Sequence, residues 1–415
     1  MSRPSLRALI LAAVMATATA LAVPVAVPAR ATPVPGVSAA EAGAAERPVP
    51  RGDAFTIVTG AVLDAPNPVL GADNRRHLAY EVRLQNSAPF PVALRRLDAL
   101  DRRTGAVLGR HAGAALAALV RPTEGGAFTG TIGPGRTVYA VLEVALPRRA
   151  RVPDGLTHRI SIAFDPTKAP PGFPNPSPYA IAPTTVAHHR AVVLASPLRG
   201  AGWVAVNGCC NELTSHRGAV IPVNGHLRVP ERFAIDWVKL DAHGRMFTGP
   251  VGRLSSYAYY GADVLSVAGG RVVRTHDGEP EQTPPNPPST FPTPDSAGGN
   301  WVMVDLGDGS FAFYAHLQRH SLAVRVGDRV RKGQRIGLLG NTGNSTAPHL
   351  HFQISSNSSP LNSNGLPYRF ARFGSTGTVT DIDALFSGRP TPVGPRLAGA
   401  HRRQLPLDLE VVDFG

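Results

Sequence analysis

Between residues 52 and 166 the chain repeats apolar side chains at every second position. Leu78, Tyr80, Val82 and Leu84 alternate with small or polar residues, and Ile160, Ile162 and Phe164 do the same. Successive side chains of a strand point to opposite faces, so this spacing turns one apolar face toward a core. Val138 to Val144 is a mostly apolar run behind the turn Gly133-Pro134-Gly135, and reads as a more buried strand. Residues 111–120 (HAGAALAALV) predict one short helix. Period-2 runs split by Gly and Pro turns predict an antiparallel β-sandwich over 52–166. No cluster of His, Asp, Glu or Cys gives this region chemistry, so it reads as a binding or spacer module.

The 415 residues suggest two domains. Residues 167–190 are Pro-rich and predict a linker. Residues 191–360 are strand-rich again and predict a second, mainly β domain. Within them, 277–297 (DGEPEQTPPNPPSTFPTPDSA) is a polar, Pro-rich insertion between two strands, placed near a cleft. Residues 361–415 carry weak signals and are expected to wrap the second domain or trail from it as an extension. Gly (43) and Pro (40) together make about a fifth of the chain, which favours short strands and tight turns. With 43% hydrophobic residues in frequent runs, disorder of the whole chain is excluded.

The N-terminus changes the compartment. Arg3 and Arg7 precede an apolar stretch from about Ala8 to Val27, and Ala29-Arg30-Ala31 offers a small-x-small cleavage site. That order predicts a signal peptide over 1–31, followed by a flexible linker over 32–51, and hence a secreted or cell-wall-associated protein. The alternative is a membrane anchor, since the apolar run is long enough to span a bilayer; Pro24, Pro28 and the cleavage site argue for removal. No other stretch is long and apolar enough to cross a membrane. The formal charge is +13, carried by arginine except at Lys168, Lys239 and Lys332. It reads either as codon bias or as attraction to anionic wall polymers or membrane surfaces. Export and the lack of a basic block with interleaved aromatics argue against nucleic acid. Cys209 and Cys210 are adjacent. In an exported protein they can pair and lock a turn, whereas no second pair exists to complete a zinc-finger set.

The chemistry concentrates at His349-Leu350-His351. On a strand, i and i+2 share a face, which sets two imidazoles side by side. Neutral imidazole is both a zinc ligand and a base near neutral pH. Around this pair, in chain order, stand Gly261 to Arg271 (GADVLSVAGGR), Gly299-Asn300-Trp301-Val302, and Tyr314-Ala315-His316-Leu317. Then come Gly327 to Gly337 (GDRVRKGQRIG), Gly340-Asn341-Thr342-Gly343, and HLHF at 349–352.

These six ordered motifs, over about 261–353, resemble the lysostaphin-type (LytM-like) zinc metallo-endopeptidases of bacterial cell walls. The resemblance implies a lysostaphin-like antiparallel β-sheet or barrel domain and one Zn2+. It also implies a substrate among peptidoglycan peptides, with a dead, wall-binding or regulatory protein as the alternative. It assigns His351 and Asp236 as metal ligands, and His316 and His349 as the groups that orient or deprotonate water and stabilise the oxyanion. The sequence departs from the family's H-x-x-x-D pattern, because Arg232 stands four residues before Asp236. A guanidinium offers no lone pair and cannot ligate zinc. His216, His226 and His243 lie nearby. His216 is the expected third ligand because it follows the Cys209-Cys210 turn; another of these histidines, or no third protein ligand, are the alternatives. His158, His188, His189 and His320 belong to no motif.

Overall fold

The computed structural model describes residues 55–415 apart from 172, 174–176, 188, 211 and 289. The expected signal peptide (1–31) and linker (32–51) lie outside the described residues. Among the described residues no helix is long and apolar enough to cross a membrane. The chain is mainly β, built of several antiparallel sheets.

Two five-stranded sheets form the first unit. Strand β1 (Arg75–Asn86) pairs along its length with β2 (Thr137–Pro147). The register sets Leu78, Tyr80, Val82 and Leu84 opposite Val144, Leu142, Ala140 and Val138. All eight are buried in one core with Ile160 and Ile162 of the facing sheet. A short helix, α1 (Gly113–Ala117), falls inside the 111–120 segment and buries Leu116. Residues Tyr179–Thr185, expected as linker, are instead a strand paired with Gly155–Ala163. The Tyr179 hydroxyl donates to Val58 O (3.0 Å) in the opposite sheet. Pro178 and Pro183 mask this strand in the composition; proline is tolerated because the strand lies at a sheet edge.

The second unit is built on a thirteen-stranded sheet. Its main strands are β3 (Gly200–Val206), β4 (Ile235–Lys239), β5 (Gly270–His276), β6 (Asn300–Asp305), β7 (Phe311–Leu317), β8 (Leu350–Ser355), β9 (Tyr368–Val379) and β10 (Glu410–Phe414). They lie in the order β9-β10-β3-β4-β8-β7-β6-β5. Residues 361–415 are therefore not an extension: β10 pairs with β3 and supplies Val411, Val412 and Phe414 to the core, and β9 supplies Phe370, Phe373 and Val379. Gly374 and Gly377 interrupt the alternation of β9, which is why its sequence signal is weak. The 277–297 insertion joins β5 to β6. Its Glu281 accepts from Asn341 N (2.7 Å) and Arg319 N (3.2 Å), strapping it to the Gly340–Gly343 loop.

β1 is covered on both sides. Its second face presents Ala79 to the core of the second unit and Glu81 to two buried guanidiniums. Arg232 donates to Glu81 Oε2 (2.6 Å) and Asp64 Oδ2 (3.1 Å). Arg217 donates to the other Glu81 oxygen and to Leu142 O (3.0 Å). Burial opposes ionisation of Glu81, yet the two arginines hold its carboxyl below the usual range. Removing one partner of a buried ion pair leaves an uncompensated charge. Glu81→Ala is therefore expected to cost about 3–5 kcal/mol, read as a lower denaturant midpoint at unchanged slope.

Candidate metal centre

The register of three strands builds the site. Asp236 of β4 lies opposite His351 of β8, and His351 lies opposite Ala315 of β7. Alternation sends the neighbours Ile235, Trp237, Leu350, Phe352 and Tyr314 into the core. Asp236, His351, Ala315 and Phe313 are thereby left on the other face, where they line a cleft of about 120 Å³. His349 sits one step before β8 and is tied to the Gly340 loop by its N–H to Gly340 O (3.2 Å).

His316 reaches the same face by breaking the alternation. β7 carries one extra residue opposite β6 between Leu317↔Asn300 and Tyr314↔Val302. A bulge of this kind redirects a side chain. With φ at 61°, His316 turns out of the core beside His349, ring centroids 4.5 Å apart. The glycines of the two neighbouring motifs serve this corner. Gly299 (φ 62°) and Gly343 (φ 71°) touch backbone to backbone, and a Cβ on Gly343 would lie 2.2 Å from Gly299 N. That contact sets Thr342 O where it accepts from His316 Nδ1 (2.7 Å).

His216 arrives from the loop between β3 and β4. Cys209 and Cys210, at the start of that loop, are joined by a disulfide. Cys210 O accepts from Arg217 Nε (3.3 Å), and Arg217 is anchored in turn on Glu81 of the first unit. His216 Nε2 lies 3.1 Å from Asp236 Oδ2. His351 Nδ1 lies 3.0 Å from Asp236 Oδ1, and His349 Nε2 3.5 Å from the same oxygen. The ligand atoms of His216, Asp236 and His351 all fall within 4.8 Å of one another. Each is oriented by its other polar atom: His216 Nδ1 donates to Ala234 O (3.1 Å), and His351 Nε2 donates to Gln353 Oε1 (2.9 Å). Asn207 donates to Asp236 Oδ2 (2.8 Å). Each histidine thus turns its second ring nitrogen toward the shared carboxylate, where an ion would take the place of the proton. Two imidazoles and a carboxylate with such partners fit a tetrahedral zinc site that keeps one position open.

His226, at the start of the short strand His226–Arg228, and His243, in a turn, are exposed and do not line this cleft, and His320 is exposed near Asp277. His158 is a packing residue bonded to Tyr80 and Ala182. Arg232 pairs with Glu81 and Asp64 rather than with Asp236. Asn207 and Gln353 join the site without belonging to any of the sequence motifs. Gln353 does carry a local signal, since it continues the 349, 351 alternation. Asn207 lies 29 residues from Asp236 and has none.

Electrostatics divides the histidines. Burial lowers the pKa of His316 and His349, with neighbouring imidazoles adding to the effect, so both are neutral near pH 7. Burial also disfavours the His216 cation, but the Asp236 carboxylate overrides it and raises its pKa to about 9. Asp236 itself is held well below the usual carboxyl range by His216 and His349 despite its burial.

A half-buried carboxylate ringed by four imidazoles, three of these five side chains close enough to share one ion, has the donor set of a mononuclear metal site. Residues 254–363 match Peptidase family M23, and this part of the chain is an M23 domain of the LytM/lysostaphin type. The matched segment holds His316, His349 and His351; His216 and Asp236 lie before it. The chain is 42% identical over 64 residues to the peptidoglycan DD-endopeptidase ShyA of Vibrio cholerae (15% of this chain, 14% of that protein). It is 46% identical over 85 residues to the glycyl-glycine endopeptidase ALE-1 of Staphylococcus capitis (20% and 23%). It is 43% identical over 88 residues to lysostaphin of Staphylococcus simulans (20% and 17%). The matches thus span less than a quarter of these relatives' own lengths. The solved catalytic domain of lysostaphin is 25% identical, with a TM-score of 0.21, over 35% of this chain and 80% of that one. Metallopeptidases of this family are generally zinc-dependent.

Equilibrium dialysis should find one zinc per chain, lost in His216→Ala and retained in His226→Ala. In chelator-treated protein His216 has a folded pKa of about 9 against 6.5 for the free group. A raised pKa adds stability that is full below pH 6.5 and is lost as pH rises through about 9. The thermal midpoint of metal-free protein should fall across that window, and His216→Ala should flatten the fall.

Proposed function

We propose that this chain is an exported zinc-dependent endopeptidase that hydrolyses peptide bonds of cell-wall peptidoglycan. The observation that carries this reading is His216 Nε2, 3.1 Å from Asp236. It restores the donor that Arg232 removes from the family's pattern. An inactive wall-binding protein is the alternative attached to Arg232, and a complete donor set argues against it. The signal-peptide pattern of 1–31 and the likeness to peptidoglycan endopeptidases support the compartment and the substrate class.

His216, Asp236 and His351 would hold the ion. Zinc bound there supplies a Lewis acid and an acidified water. The residues of the chain do the rest. Asn207 and Gln353 fix the orientation of Asp236 and His351. His316 and His349 each bind a carbonyl through Nδ1–H, with Thr342 O and Ala347 O as acceptors, and so present an unprotonated Nε2 to the cleft. One of these accepts the proton of the attacking water as the C–O bond forms. Its new N–H then donates to the tetrahedral oxyanion and passes the proton to the amine as the C–N bond breaks. Pro294 and Asp295 of the 277–297 insertion and Leu361 stand at the walls of the cleft.

Incubation with purified peptidoglycan should release new amines, and a chelator should abolish the release. His349→Ala and His316→Ala are each expected to lower kcat by about 10²–10⁴ while zinc content stays unchanged. Activity that survives both the chelator and His351→Ala would overturn the reading.

A further inference from the structure

A second cavity, of about 970 Å³, lies between the two units and shares no lining residue with the metal cleft. Arg76 enters it from β1, Arg190 from the segment before the short strand Val192–Leu194, Arg369 from β9, and Arg403 from the Gly399–Gln404 strand. No carboxylate among the described residues forms an ion pair with any of the four. Asp308 is the one acid in the lining, and its Oδ1 is already engaged by Ser310. Arg369 donates through Nη2 to Ala191 O (3.0 Å), but its buried Nε has no hydrogen-bond partner. Burial, with Arg403 and Arg190 close by, pulls the Arg369 guanidinium below its ordinary pKa.

A buried N–H without an acceptor costs about 1–3 kcal/mol. Like charges gathered in one cleft add repulsion that a bound counter-charge relieves. The two fully buried arginines among the described residues, Arg217 and Arg232, share Glu81. The cavity is thus a place where the fold converges cations and leaves the anion out. Guanidinium forks match phosphate oxygens two at a time. The room available exceeds that needed by one phosphate, and Val192, Val193 and Leu194 give an apolar wall on which a hydrocarbon spacer packs. Val193 is itself 43% exposed.

We propose that this interdomain cavity binds a phosphodiester-linked polyol chain, with Arg76, Arg190, Arg369 and Arg403 each facing phosphate. The site is independent of the peptidase reading. It also gives the first unit a binding role, because Arg76 of the sandwich closes one side of an anion cleft whose other side belongs to the catalytic unit.

Titration calorimetry on the full chain with poly(glycerol phosphate) tests this, with inorganic phosphate at equal phosphate concentration as the second arm. Tight, salt-sensitive binding of the polymer is expected, with inorganic phosphate at least about tenfold weaker. Arg369→Gln with Arg403→Gln should weaken polymer binding at least about tenfold, a loss of two charge-assisted forks. Arg403→Gln alone, on an exposed side chain, guards against a folding defect and should weaken it several-fold. Arg329→Gln with Arg331→Gln removes two exposed charges outside the cavity and should leave binding within about twofold. An equal loss in that control pair means diffuse attraction by the +13 chain and overturns the proposal. Failure of the polymer to bind at low salt also overturns it, as does inorganic phosphate binding as tightly as the polymer.

Discussion

The histidine-lined cleft depends on one register, the pairing that sets Asp236 opposite His351 across β4 and β8. A slip of one residue would send both side chains into the core and bring Ile235 or Phe352 to the cleft. The register is held by the apolar side of the same strands, where Trp237, Leu350, Phe352 and Ile354 are fully buried. Packing thus fixes the chemistry indirectly: the large side chains choose the pairing, and the polar ones inherit their positions.

Arg232 shows how a family pattern is rewired. The position four residues before Asp236 no longer faces the carboxylate. Its guanidinium points away, into Glu81 of the sandwich, where it shares a buried acid with Arg217. Arg217 adjoins His216, so the ion network between the two units also anchors the loop that brings His216 to Asp236. The first unit, none of whose described residues lines the cleft, thereby contributes to the geometry of that site.

The divided titration of the histidines follows from this placement. His216 and His351 look at Asp236, while His316 and His349 are anchored through Nδ1 on backbone carbonyls and kept neutral by burial. One set is suited to holding a cation, the other to carrying a proton. The glycines of the Gly299 and Gly340–Gly343 motifs matter because no Cβ fits between those two backbones.

The sequence by itself determined the strand character of both units and the shared face of His349 and His351, because period-2 alternation is a local property. Motif order sufficed to point to His316 and Asp236. The sequence favoured His216 as the third donor but left another histidine, or none, as alternatives; it read Tyr179–Thr185 as linker and residues 361–415 as an extension wrapping or trailing the second domain, where the structure has strands. Those outcomes rest on contacts between distant segments: Ala234 O and Asp236 receive His216 across a loop, and β10 closes against β3 some two hundred residues earlier. Only the tertiary structure decided which histidine meets the carboxylate, because that choice is made by the packing of one unit against the other.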